Sequence, residues 1–322
     1  MFARPMTSRL SYETADTLIY DPVAGNRATT RSALFRLGFR RIEAVGDLST
    51  LADCIQRQPP DLAICEVQGA QDELCKLIQN LRRGAGGFNP FVVIIVTAWE
   101  KSSATIKGVI SSGADDLLLR PFSAAALGER IRTHVERRKG FVITSDYVGP
   151  DRRSDSSRPS NVELFQPPNS LKMKAKDKLT EEQVTHKLQA ELQIAREVLT
   201  TEKLKRDAFQ MCVLWRLMQS EIPGTARYEF DYNKLKDVVH GIAVRSAGTE
   251  YESAIEWCDA ALAAIEGLEL GVERNPAMHM LGHAALNLNQ VFTPGKTFSE
   301  HLGEIDATVA LINARNQAAP AA

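Results

Sequence analysis

Between residues 16 and 138, short apolar runs alternate with stretches whose apolar positions recur at helical spacing. The runs are TLIY (17–20), RIEAV (41–45), DLAICEV (61–67), FVVIIVTA (91–98) and DLLL (116–119). Helical patterns lie between them at 26–38, at 48–57 with Leu48, Leu51 and Ile55, and at 71–83 with Leu74, Leu77, Ile78 and Leu81. A fourth covers about 101–112, and a fifth, 123–138, carries Leu127, Ile131 and Val135 on one face. Five strand–helix alternations predict a parallel sheet covered by helices on both faces. The run VVIIV is apolar at every position, as a strand buried on both sides requires. Gly38 ends the first helix, Pro59-Pro60 the second, and Gly84 to Gly87 with Pro90 the third. The expected architecture is α/β, a doubly wound five-stranded parallel sheet.

Residues 139–178 lose this alternation. They are rich in Pro, Ser and charge and read as a polar linker. From 179 to 315 the period is helical throughout. Leu188, Leu192, Ala195 and Leu199 follow a 4-3-4 spacing inside a long helix expected to run to about 219. Four shorter helices should follow. Leu235, Val238, Val239 and Ile242 mark the first, and Thr249 with Glu252 predicts a capping box opening the second. Asn275-Pro276 predicts an N-cap and first-turn proline for the third, and Thr297 with Glu300 a capping box for the fourth. This half is expected to be an all-α bundle with a frayed tail, NQAAPAA.

Composition narrows the function. A length of 322 residues suits two folded units rather than one. With 39 basic and 40 acidic side chains the net charge is −1, which argues against nucleic-acid binding, since that needs a basic surface to displace phosphate counterions. No apolar run reaches the roughly 20 residues that cross a bilayer, and MFARPMTSRLSYETAD has no long apolar stretch of a secretory signal. The five cysteines (Cys54, Cys65, Cys75, Cys212, Cys258) form no CxxC pair and read as small core residues of a reducing cytoplasm.

Ligands of open α/β sheets bind outside the carboxyl ends of the strands. Here those ends carry Asp21 after the first strand, Glu66 in the third, Thr97 after the fourth, and Arg120-Pro121 after the fifth. Two acids, a hydroxyl and a cation converge. With IVTA (95–98) and GADDLLLRPF (113–122), residues 15–138 resemble a response-regulator receiver domain, the flavodoxin-like module of bacterial two-component signalling. The resemblance implies a site in which two acids after strand one hold Mg²⁺ and an aspartate in strand three takes a phosphoryl group from a histidine kinase. It further implies a Thr or Ser and a Lys contacting the phosphate. Asp21 matches one metal-binding acid, but Pro22 stands in place of the second. Glu66 occupies the phosphoacceptor position, Thr97 matches, Arg120 replaces the lysine, and Leu117 replaces the aromatic switch residue. One remaining carboxylate makes Asp21 a weak Mg²⁺ ligand, so no cofactor is required. Glutamate's extra methylene moves the attacking oxygen by about 1 Å, a misplacement that can cost ~10²-fold in rate. Arginine forks bidentately onto carboxylates, so Arg120 is expected to bridge Asp21 and Glu66 and fill the space of metal and phosphate. A plain polar cluster closing the sheet is the competing explanation.

Three further features compete with blander explanations. Arg152-Arg153, with Arg158, offers a phosphate grip, but a solvated or docking segment explains it better. His279-Met-Leu-Gly-His283 loosely resembles the motif of histidine phosphotransfer bundles, but Gly282 and His283 depart from it, and a helical histidine is more often a surface or capping residue. The Leu188–Leu199 seam suits a homodimer contact or ordinary packing within the bundle. No Ser-His-Asp order, nucleotide-binding GxxxxGK or metal-spaced His/Cys cluster occurs. The resulting expectation is a cytoplasmic phosphorelay protein that is not an enzyme. Its degenerate receiver serves as an interaction module for a histidine kinase, a phosphotransfer protein or a downstream effector, and a helical output region follows. A phosphorylated regulator and a helical adaptor outside any phosphorelay are the alternatives.

Overall fold

The computed structural model describes residues 10–84, 89–144, 147–152, 164–269 and 273–318. The chain divides into two compact units, Met1–Glu197 and Val198–Ala322.

The first unit is built on five parallel strands, β1 (Asp16–Tyr20), β2 (Arg41–Val45), β3 (Leu62–Glu66), β4 (Val93–Ala98) and β5 (Asp116–Leu119), in the order β2-β1-β3-β4-β5. Helices α1 (Ala24–Leu37), α2 (Leu48–Arg57), α3 (Gln71–Arg82), α4 (Ser103–Ser112) and α5 (Ala124–Arg137) connect or follow them. Because successive strand residues point to opposite faces, the buried residues of β3 and β4 sort into two cores. Leu62, Ile64, Val93 and Ile95 pack with Leu34, Leu127 and Ile131 of α1 and α5. Ala63, Cys65, Ile94 and Val96 pack with Leu51, Leu74, Ile78 and Val109 of α2, α3 and α4. Local chemistry sets the helix ends. Asp47, Ser102 and Ser123 accept N-cap hydrogen bonds from Thr50, Thr105 and Ala126, and Gly38 closes α1 at φ 104°.

The polar composition of 139–178 predicts a linker, but its described residues fold onto the sheet domain instead. Strands β6 (Phe141–Ile143) and β7 (Val148–Pro150) form an antiparallel hairpin, and α6 (Ser170–Ala175) follows. Phe141 pairs with Phe165 through two backbone hydrogen bonds, and both rings pack on Phe91. Leu171 and Ala175 enter the α1/α5 core. Lys174 Nζ lies 2.7 Å from Asp16 Oδ2 and 2.9 Å from Asp61 Oδ2, at the amino ends of β1 and β3. A few well-placed apolar side chains and one ammonium outweigh a polar average. Arg152 also docks, donating to the Ala114 carbonyl, whereas Arg153 and Arg158 lie outside the described residues.

A second buried charge group closes the lower end of β4 and β5. Asp115 accepts from Arg82 Nη2 at 2.8 Å and from Arg138 Nε at 2.8 Å. Arg82 also serves the carbonyls of Gly113 and Val92. Burial alone would raise the Asp115 carboxyl, but the guanidinium groups of Arg138 and Arg82 hold it below the usual carboxylate range.

A 40-residue helix, α7 (Glu181–Ser220), opens with a capping box between Thr180 and Gln183 and continues into the second unit. Along the 4-3-4 seam Leu188 and Leu192 are half-buried and Ala195 and Leu199 buried. The second unit adds α8 (Ala226–Ser246), α9 (Ala254–Glu269), α10 (Arg274–Phe292) and α11 (Phe298–Ala318). One core joins them, with Met211, Trp215, Leu235, Ile242, Cys258, Leu281 and Ile305. Thr297 and Glu300 form the expected box. Thr249 does not open α9. It bonds the Ser246 carbonyl and the Tyr251 N–H within a turn, and the helix starts five residues later at Ala254. Asn275 and Pro276 are the second and third residues of α10 rather than its cap and first residue, since Glu273 takes the cap position. The tail expected to fray from Asn316 is helical to Ala318, and 319–322 lie outside the described residues.

Candidate functional site

The order β2-β1-β3-β4-β5 places the carboxyl ends of β1, β3, β4 and β5 side by side and brings Asp21, Glu66, Thr97 and Arg120 together. Glu66 and Thr97 are register partners on adjacent strands, and Arg120 N–H bonds the Ala98 carbonyl as β5 ends. From there the side chain reaches back across the sheet. Arg120 Nε donates to Glu66 Oε2 at 2.8 Å, and Nη2 donates to Asp21 Oδ2 at 3.1 Å and to Thr30 Oγ1 of α1 at 3.0 Å. Thr97 Oγ1 donates to the same Glu66 oxygen at 2.8 Å, while Gln68 N–H bonds Glu66 Oε1 at 3.1 Å. Asp21 Oδ1 accepts from Val23 N–H at 2.8 Å. Every carboxylate oxygen of the crevice is engaged by the chain itself. The group is dry, with the Arg120 side chain 5% exposed and those of Asp21 and Glu66 at 0% and 1%.

The guanidinium is also roofed by rings, with its carbon 4.8 Å from the Phe122 centroid and 6.0 Å from that of Trp99. Pro121 follows through a cis peptide and is exposed at the rim, as are Pro22 and Val23. Leu117 is half-buried against the α2/α3/α4 core. Thr30 and the two aromatic roofs are not apparent from the sequence. Thr30 is one of two adjacent threonines in α1, and only the fold turns it toward the crevice.

The donor set does not fit Mg²⁺. That ion needs near-octahedral oxygen ligands at about 2.0–2.1 Å. Asp21 and Glu66 are already spent on Arg120, backbone amides and Thr97, and Pro22 offers no carboxylate. Among the described residues no group of three or more His, Cys, Asp or Glu is arranged to hold a metal. His279 and His283 lie on the exposed face of α10, far along the chain from this crevice and in the other unit.

A five-stranded parallel sheet in this order, with a polar crevice at the carboxyl ends of its strands, is a flavodoxin-like doubly wound α/β fold. No family model matches the chain. Solved structures similar to it include a signal receiver domain from Clostridium thermocellum, 14% identical, covering 38% of this chain and 98% of that one at a TM-score of 0.35. The chemotaxis response regulator CheY4 of Vibrio cholerae is 19% identical over 37% of this chain and 96% of its own, at 0.33. A response regulator from Thermotoga maritima is 22% identical over 37% and 96%, also at 0.33. These likenesses concern the N-terminal part and its fold. Among the described residues no helix is long and apolar enough to cross a membrane.

Proposed function

We propose that the chain is a signalling protein of the phosphorelay type whose receiver-like domain, residues 15–138, works by protein contact rather than by phosphotransfer. The helices after residue 179 act as its output or interaction region. The observation that carries this reading is Arg120 lying between Asp21 and Glu66. An in-line attack on a phosphoryl donor needs a free carboxylate oxygen and a cation to screen the donor's charge. Here both Glu66 oxygens are engaged, and the cation is tied to the acids. Binding partners of this domain would be a histidine kinase, a phosphotransfer protein or a downstream effector, meeting the surface of the sheet domain without exchanging phosphate.

The test is treatment of the full chain with acetyl phosphate and Mg²⁺, followed by intact-mass measurement and peptide mapping. The protein should remain unmodified. A stoichiometric phosphoryl adduct on Glu66 would establish a working phosphoacceptor and overturn the proposal.

A further inference from the structure

The second unit carries a groove of about 680 Å³ between α7 and α10, bounded by α11. Its floor is apolar: Trp215, Met278, Leu286 and Leu302. Trp215 is held rigidly. Its Nε1 donates to the Met278 carbonyl at 2.9 Å, and its ring lies so close over α10 that a Cβ on Gly282 would come 2.3 Å from Cζ2. Glycine at 282 is what lets the indole cross the helix, so the floor is formed before anything binds.

The rim is basic in residue type. Arg216, Arg274, His279 and His283 line it, and no acidic side chain does so among the described residues. Arg216 has a partner, Asp306 at 2.8 Å, but both side chains are well exposed, 39% and 50%, so the pair is weak and exchangeable. Arg274 is fixed by the carbonyls of Met218 and Glu221, at 2.7 and 2.8 Å, and no carboxylate among the described residues pairs with it. Trp215 and Met278 are mostly buried and show only their edges to the groove, whereas Leu286 and Leu302 are half-buried; apolar edges ringed by arginine suit a protein contact. The lining on α10 runs from Arg274 to Leu286, about 18 Å at 1.5 Å per residue. That is the length of a three-turn helix, longer than a compact small molecule fills.

We propose that this groove receives an acidic amphipathic helix of a partner protein, with apolar residues on the Trp215–Leu302 floor and carboxylates against the arginine and histidine rim. The inference goes beyond the reading of the crevice and is independent of it, since every lining residue belongs to the second unit.

Two blocked, fluorescein-labelled peptides of about four helical turns test it, identical in their leucine positions and carrying Glu or Lys elsewhere. Anisotropy titration with the full-length protein should show the Glu peptide binding at least about tenfold more tightly than the Lys peptide, and more weakly as salt rises. Arg216→Glu and His279→Glu, both on the exposed rim, should each weaken the Glu peptide several-fold while leaving the thermal melt unchanged. Equal binding of the two peptides, no binding of either, or indifference to both charge reversals would overturn the proposal. Displacement of the peptide by adenosine monophosphate would make the groove a small-anion pocket, and would overturn it too.

Discussion

Gly149 of the hairpin lies directly against Gly113 of the α4–β5 turn: a Cβ on Gly149 would stand 2.7 Å from the Gly113 Cα. Gly113 is constrained twice, by φ +86° and by the Val148 carbonyl 2.3 Å from where its own Cβ would go. Gly149→Ala should therefore cost about 1–3 kcal/mol as an overpacked contact. Gly113→Ala should cost more, because a left-handed backbone adds roughly 1–2 kcal/mol for any residue with a Cβ. Urea unfolding of the two variants checks the ranking. Equal, negligible effects would mean the hairpin does not sit on this turn.

Removing Arg120 should loosen the crevice and change its chemistry together. Breaking a buried ion pair by losing one partner costs about 3–5 kcal/mol, and Arg120→Ala leaves two buried carboxylates uncompensated. Those carboxylates become free to ligate a cation. Wild-type melting should be indifferent to Mg²⁺ or Mn²⁺. The variant should melt lower without metal and recover part of the loss with it. Thermal melts of both proteins with and without metal decide the matter.

Asp115 predicts a pH dependence. Its folded-state carboxyl is held below the ordinary value by Arg138 and Arg82. Its contribution is thus present in full above the unfolded value of about 3.9 and is lost as pH falls through the depressed native one. Asp115→Asn should be less stable near neutrality, since two buried guanidinium groups lose their carboxylate. It should also show a shallower decline of stability in acid than wild type. Chemical denaturation at a series of pH values measures both, and parallel acid profiles would contradict the assignment.

All five cysteines are buried and free. Burial pushes the thiols of Cys65, Cys212 and Cys258 up to about 12, and raises those of Cys54 and Cys75 as well. The thiolate is the reactive form. The native protein should therefore resist a thiol reagent such as Ellman's at mildly alkaline pH, and release five equivalents on unfolding. Rapid labelling of any one in the native state would show that its element opens.

The sheet domain is legible in the sequence because its signals are periodic. VVIIV is short, wholly β-branched and preceded by Gly and Pro, so it reads as a doubly buried strand, and the acid, hydroxyl and cation of the crevice fall at strand ends. What is illegible is set by contacts between distant residues. Phe141, Val148, Leu171 and Ala175 are too few and too scattered to lift 139–178 out of a polar average, yet each is buried. Thr30 becomes a crevice residue only once α1 packs on β1. Thr249 has the residue type and the spacing of a capping box, but its side chain finds a nearer partner in the Ser246 carbonyl. Local sequence offers both bonds, and the chain takes the turn.

The ammonium of Lys174 between Asp16 and Asp61 bears on where the chain can be cut. A fragment ended at Arg138, where the alternation of strands and helices stops, would leave Asp61 without its ammonium and Asp16 with only the exposed Arg41 at the base of the sheet. It would also uncover Phe91 and take away the backbone to which Gly113 is moulded. The smallest piece that keeps its own charges neutralised and its own rings covered extends past α6, to Lys176 or beyond. Anyone producing this domain separately would find the useful terminus some forty residues after the last helix of the sheet.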